Sequence, residues 1–257
     1  ISDPSIEKVY LQFDMYHVYD GAPLGYLRNA LTDNVQVMAR GGNDPANMGG
    51  YSELLPGQGM IISDSTITGA ATGIQLDGDT VGSITNVDIT DPSSVGVVAD
   101  GNNVISIDGV SVTDSVGSGL TVGVLIMPTA TGVQEISNSN FDGVNTAIAL
   151  NNDVRTAISS TTINDATTGI LTGTQSGASY TVNDVTITNV FQGVFHRGTG
   201  EMTLTDSSIS STDYDINMIS SGSVTFIDGT VDQNKVDITS TGTFFRDRSY
   251  VATLTAN

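Results

Sequence analysis

The sequence has no cysteine and no tryptophan. A disulfide framework is therefore excluded, and a secreted chain of 257 residues can fold without one. Cationic side chains are scarce: Lys and Arg total 8 against 28 Asp and Glu, a formal net charge of −20. Nucleic acid needs Lys and Arg to neutralise its phosphates, so the charge balance argues against that partner class, and against anionic lipid surfaces with it. No apolar run approaches the roughly 18 residues of a membrane span, which argues against membrane insertion. Ile1 to Lys8 lack the basic and apolar regions of a signal peptide. No Asn-x-Ser/Thr sequon occurs, which argues against heavy N-glycosylation. Neither a heptad nor a 3.6-residue period runs through the chain.

What is present is turn chemistry. The carboxylates are mostly Asp, set among Gly, Ser, Thr and Asn, and are solvated turns before they are anything else. Residues 1–59 differ from the rest: they hold most of the tyrosines and read as an N-terminal cap or entry segment. Val9–Tyr16 and Val35–Met38 are strand candidates, Pro23–Leu31 allows a short helical turn, and residues 41–58 read as a long loop.

From Met60 one phrase recurs: Asx, two small residues, Ile or Val, then a turn and a Gly-Ile pair. The anchors are Ile67, Ile89, Val112, Phe141, Ile163, Ile187, Ile209 and Val231, spaced by 22, 23, 29, 22, 24, 22 and 22 residues. A period near 22 with β-branched anchors is a solenoid signature. Each unit holds three short strands. The first carries Ile61, Ile84, Ile105 or Ile107, Ile136, Ile158, Val182, Leu204 and Phe226. The second carries the anchors. The third carries Ile74, Val97, Leu120 or Val124, Ile148, Ile170, Val194, Ile216 and Ile238. Three residues before the anchors runs a second column, Asp64, Asn86, Gly109, Asn138, Ser160, Asp184, Asp206 and Asp228, read as turn and ladder material. The 29-residue step contains an added stretch, Val116–Pro128, of glycine and aliphatic residues suited to packing or a partner contact.

Asp64–Leu76, Thr161–Leu171 and Asp184–Phe195 carry the Asx-x-x-Ile…Gly-Ile pattern most closely. In these the segment resembles the right-handed parallel β-helix repeat family, the pectate-lyase-like and NosD-like superfamily. The resemblance implies an all-β, right-handed parallel β-helix of about eight or more rungs. It also implies a range of activities, from polysaccharide lyases and hydrolases to tailspikes, adhesins and surface-layer components. The lyases imply a Ca²⁺-binding carboxylate cluster with a basic residue, and the hydrolases paired Asp residues near His.

The outward positions beside the third-strand residues are Gln75, Val98, Ala149, Leu171, Phe195, Asn217 and Thr239, and they offer no carboxylate pair. His196-Arg197-Gly198 reads as an exposed turn with a cation among Asp residues, a catalytic role for His196 or Arg197 is the alternative, and no catalytic residue is assigned. The flanks of the second-strand anchors make a two-file polar face. Thr66, Thr68, Asp88, Thr90, Ser111, Thr113, Thr186 and Thr188 are its candidate ligand residues, with an exposed strand surface as the competing reading. Thr-x-Thr files resemble those of ice-binding solenoids, but Asp and Asn interrupt them here. Asp77, Asp79 and Asp100 are candidate ligands for a surface Ca²⁺, with solvated Gly turns as the alternative.

The expected organisation is a cap at 1–59, a β-helix at 60–243, and a C-terminal strand or link to a following domain at 244–257. The expected role is a non-enzymatic extracellular or cell-surface rod, part of a longer protein, whose partners are other domains, other copies of itself or glycan. A polysaccharide-active enzyme, and a glycan-, mineral- or ice-binding module, are the alternatives.

Overall fold

A computed structural model describes residues 60–247, with gaps at 79–80, 101–103, 118, 120, 129, 131–133, 152–154, 175–177 and 240. It also describes the backbone of the strands Val9–Asp14, Gly25–Arg28, Leu31–Asp33 and Val35–Gly41. The chain coils as a parallel β-helix of about seven full turns from Met60. An eighth turn thins until its second strand is one bridge, Ser208 to Thr230.

The inward columns follow from strand periodicity, which sends alternate side chains to one face. Ile67, Ile89, Val112, Phe141, Ile163, Ile187 and Ile209 lie in register across successive turns and are buried. In the first sheet the column is Ile62, Ile84, Ile107, Ile136, Ile158, Val182, Leu204 and Phe226. The start is thus Ile62 rather than Ile61, because Ile62 is the residue that pairs with Ile84. Ile107 holds the column, while Ile105 is buried one pair earlier, beside Gly82 and Gln134. In the third sheet Val124 continues the column, and it closes on Val236. Ile238 pairs with Met218 instead and is 37% exposed. Each buried Ile or Leu contributes roughly 1.5–3 kcal/mol on leaving water, so three columns repeated turn after turn make the core.

The Gly of the Gly-Ile phrase is set by space. A Cβ on Gly96 would lie 2.6 Å from the Gly123 carbonyl oxygen and 2.8 Å from a Val112 methyl. Gly73, Gly123, Gly169 and Gly193 meet the same obstruction from the following turn's anchor.

The Asx column is set by backbone. Asp64, Asn86, Gly109, Asn138, Ser160, Asp184, Asp206 and Asp228 all have positive φ, between 45° and 65°. This left-handed conformation costs most L-residues about 1 kcal/mol and is easiest for Gly, Asn and Asp. It turns the first strand into the second within one residue. The freed amides then bond across turns: Asn138 N–H donates to Ser159 O and Asp184 N–H to Thr205 O. The next position is a hydroxyl residue in four turns, valine in three (Val87, Val110 and Val185), and Gly229 in the last. Ser65, Ser139, Thr161 and Ser207 are buried there, and each hydroxyl donates to the carbonyl two residues back. Ser139 and Ser207 also accept the amides of Val110 and Val185.

Pairing continues upstream of residue 60. Gly25–Arg28 pairs in parallel with residues 60–63, Leu31–Asp33 with 66–68, and Val35–Gly41 with both Val9–Asp14 and 74–78. The short helical turn expected over Pro23–Leu31 is therefore replaced by two strands, because ladder bonds to the neighbouring turn outweigh a weak local helical preference. His17, the chain's other histidine, and most of the expected cap lie outside the described residues, as do residues 248–257 of the expected C-terminal strand or link.

Candidate functional site

The outward positions of the third strands form one column. Val98, Leu125, Ala149, Leu171, Phe195 and Asn217 lie in register there. The column is chiefly aliphatic and holds no pair of carboxylates, which glycoside hydrolysis requires. Among the described residues no three His, Cys, Asp or Glu side chains gather into a metal-holding group.

His196 is not in an exposed turn. Val194 points inward, so on the same strand His196 does too, and it is fully buried, in register with Met218. Its Nδ1 lies 3.0 Å from Thr172 Oγ1 and its Nε2 3.1 Å from the Gly200 carbonyl oxygen. Thr172 Oγ1 already accepts the Arg197 amide at 3.0 Å. Its own proton therefore goes to Nδ1, and Nε2–H donates to Gly200. Burial holds the imidazole below its ordinary pKa, against a smaller opposite effect of the Gly200 carbonyl. Arg197 projects outward, bonds the Thr172 carbonyl oxygen through Nε, and lies over the Phe195 ring. His196 and Arg197 thus occupy opposite faces of the strand and form no joint site.

The two polar files on the second sheet are real as registers. One runs Thr66, Asp88, Ser111, Asn140, Thr162, Thr186, Ser208, and the other Thr68, Thr90, Thr113, Asp142, Asn164, Thr188, Ser210. They differ in exposure. Asp88, Asn140, Thr162 and Thr186 in the first file are exposed, whereas Thr68, Thr90, Thr113, Asn164 and Thr188 in the second are half-buried. The second file bonds to itself: Asn164 Nδ2 donates to Asp142 Oδ1 at 2.7 Å, and Thr188 Oγ1 and Asn189 Nδ2 donate to Asn164 Oδ1. Its polar groups are partly spent inside the protein.

Asp77 and Asp100 are partners in register on adjacent strands, while Asp79 lies outside the described residues. Asp108, at the first corner, accepts from Ser137 Oγ and Asn138 Nδ2, and these bonds hold its carboxyl below the ordinary range.

Two buried carboxylates escaped the sequence reading. Asp114 is 5% exposed and accepts from Gly117 N–H and Thr121 Oγ–H. Asp215 is 1% exposed and accepts from Ser211 N–H, Ser211 Oγ–H and Asp232 N–H. Both stand where a column breaks: Asp114 opens the added stretch, and Asp215 takes the place held by glycine in Gly193-Val194. That break was their signal.

A family model described as "Periplasmic copper-binding protein (NosD)" matches residues 58–256, and the chain belongs to that family, one of right-handed β-helices. No curated protein and no solved structure matches the chain. Among the described residues no helix is long and apolar enough to cross a membrane. Copper is the ion in the family's name; as Cu(I) it takes thiolate, thioether and imidazole, and as Cu(II) clustered nitrogen and oxygen donors, of which the described residues gather no group. The chain has no cysteine, and both nitrogens of His196 are engaged inside the core. The described residues therefore do not fit a copper centre.

Proposed function

We propose that this chain works outside the cytoplasm as a non-catalytic β-helical rod that spaces or carries neighbouring domains or further copies of itself. The observation that carries this reading is the unbroken register of three inward columns across the turns, with outward positions that supply no paired carboxylates. In a solenoid of this kind each turn contacts only its neighbours, so its length grows with the number of turns. The periplasmic label of the family supports an envelope or extracellular setting. Incubation with uronic-acid polymers and other acidic polysaccharides, with detection of new ends, should give no product above a buffer blank. Cleavage that persists through purification overturns the reading and favours the lyase or hydrolase alternative.

A second reading has its own observation. The exposed file Asp88, Asn140, Thr162 and Thr186 sets hydroxyl, amide and carboxylate groups at strand spacing along one flat face. Such a face suits an extended polar ligand, a glycan before a mineral or ice. Retention on a polysaccharide column that is lost in a folded Thr162→Lys/Thr186→Lys variant supports it, and unchanged retention removes it. A surface Ca²⁺ beside Asp77 and Asp100 belongs to this reading, and calorimetric titration of the chain and of Asp100→Asn tests it.

A further inference from the structure

We infer that the described residues of the coil, from Ile62 to Asp247, hold no copper site, although the chain belongs to a family named for copper. His196 serves instead as an interior strut. The strongest copper-like pair in the coil is His196 with Met218, an imidazole and a thioether in register on adjacent strands and both fully buried. That pairing would suit Cu(I), a soft ion that takes thioether and imidazole. The geometry withholds it. A metal needs a bare nitrogen lone pair. Nδ1 spends its lone pair on the Thr172 hydroxyl, whose oxygen is fixed by the Arg197 amide. Nε2 carries the proton and donates it to Gly200 O.

Space is withheld as well. A methyl group on Gly222 would come within 2.4 Å of Nε2, so backbone of the following turn occupies the place an ion would need. The Met218 methyl is packed in the same way against Gly242, whose added Cβ would lie 3.0 Å away. A third ligand is missing too: there is no cysteine in the chain, and no cluster of His, Asp or Glu among the described residues. Copper could enter only by breaking the Thr172–His196–Gly200 chain in a dry interior, where each broken bond leaves an unsatisfied group.

The test uses the full chain, exposed to Cu(II) in air and to Cu(I) under anaerobic reductant, then desalted and assayed for metal. The comparison set is wild type, His196→Gln, Met218→Leu and His17→Ala, with folding checked by circular dichroism. Copper at the level of the blank in wild type supports the inference. So does copper that only His17→Ala loses, since His17 lies outside residues 62–247. Stoichiometric copper that falls away in folded His196→Gln or Met218→Leu overturns it. If neither core variant folds, ¹⁵N spectra of wild-type histidine decide. A neutral Nε2–H tautomer of His196, unmoved by Cu(I), is expected, and a metal-dependent shift at either nitrogen overturns the inference.

Discussion

The two corners flanking the second strand solve one problem in different ways. At the first corner, every turn uses a left-handed residue, from Asp64 to Asp228. At the second, Gly69, Asp91, Gly143, Asp165 and Asn189 do the same, but the pattern fails at Asp114 and Ser211. At each failure a buried carboxylate takes over. Asp114 gathers Gly117 N–H and Thr121 Oγ–H, and Asp215 gathers Ser211 N–H, Ser211 Oγ–H and Asp232 N–H. A left-handed residue turns the chain so that its amides reach the next turn. Where it is missing the amides find other acceptors, because a buried unpaired N–H is costly: Asp114 N–H still reaches Asp142 O on the next turn, whereas Ser211 N–H turns to the local Asp215 carboxylate. The first corner is backbone-controlled and uniform. The second is open to insertion, and it is where the 29-residue step places its extra loop.

The largest effect should come from removing a carboxylate at a failed corner. Asp215→Ala leaves the two buried donors of Ser211 and the part-buried Asp232 N–H without their acceptor, at a cost of about 3–5 kcal/mol in all. Urea unfolding should show it as a lowered midpoint. A loss below about 1 kcal/mol would mean that water or a neighbour replaces the carboxylate, and the contrast between corners would collapse.

Next come two glycines that share a positive φ but not their surroundings. Gly143 has φ 71°, and a Cβ there would lie 2.5 Å from the Asp114 carbonyl oxygen. Gly117, in the added loop, has φ 65° and open space around it. Gly143→Ala should cost about 3 kcal/mol, strain plus a backbone displacement, and Gly117→Ala about 1 kcal/mol, strain alone. Equal losses in thermal unfolding would show that packing against the neighbouring turn does not distinguish the regular corner from the loop.

The third corner, between the third strand and the next turn, depends on an imidazole and so responds to pH. His196 is held below its ordinary pKa by burial. The unfolded chain therefore takes up this proton near pH 6.5 while the folded chain resists it. Its contribution is fully present above about pH 6.5 and is lost as pH falls from there toward the folded-state pKa. Unfolding midpoints compared between about pH 8 and about pH 5 should fall in wild type and fall less in His196→Gln. Asp108, also held low, acts in a separate window below the ordinary carboxylate range.

Much of the fold was legible because β-branched residues recur at the turn length and leave little choice of inward face. Ile61 and Ile62 were ambiguous, since two adjacent isoleucines satisfy the same alternation until pairing with Ile84 decides. The Asx column was visible as composition, but its cause is a dihedral angle that composition does not display. The column at the second corner was hidden by being shared among Gly, Asp and Asn and interrupted twice. His196 was misplaced although the needed rule was at hand: two residues beyond inward-facing Val194 the chain is inward again. Polarity and a neighbouring Arg suggested a surface, and a tautomer-matched pair of acceptor and donor allowed the core instead. The candidate face was legible as a register, but not the difference between its files, which depends on which side chains bond each other.

The smallest effect sharpens the first corner itself. Ser160 is the one member of its column that is neither Gly, Asp nor Asn, yet it sits at φ 46°. Serine lacks the tolerance of asparagine for this region, so the position carries avoidable strain. Its hydroxyl donates to Asp184 Oδ2 at 3.1 Å, one turn along. An asparagine amide spans the equivalent gap elsewhere in the column, where Asn86 Nδ2 donates to Asp64 Oδ1 at 3.3 Å. Ser160→Asn should therefore keep the inter-turn bond, relieve the backbone and add about 0.5 kcal/mol. Thermal unfolding should show a small rise in midpoint. A fall would mean that hydroxyl geometry, rather than backbone preference, governs this turn, and the first corner would then be less uniform in cause than it is in shape.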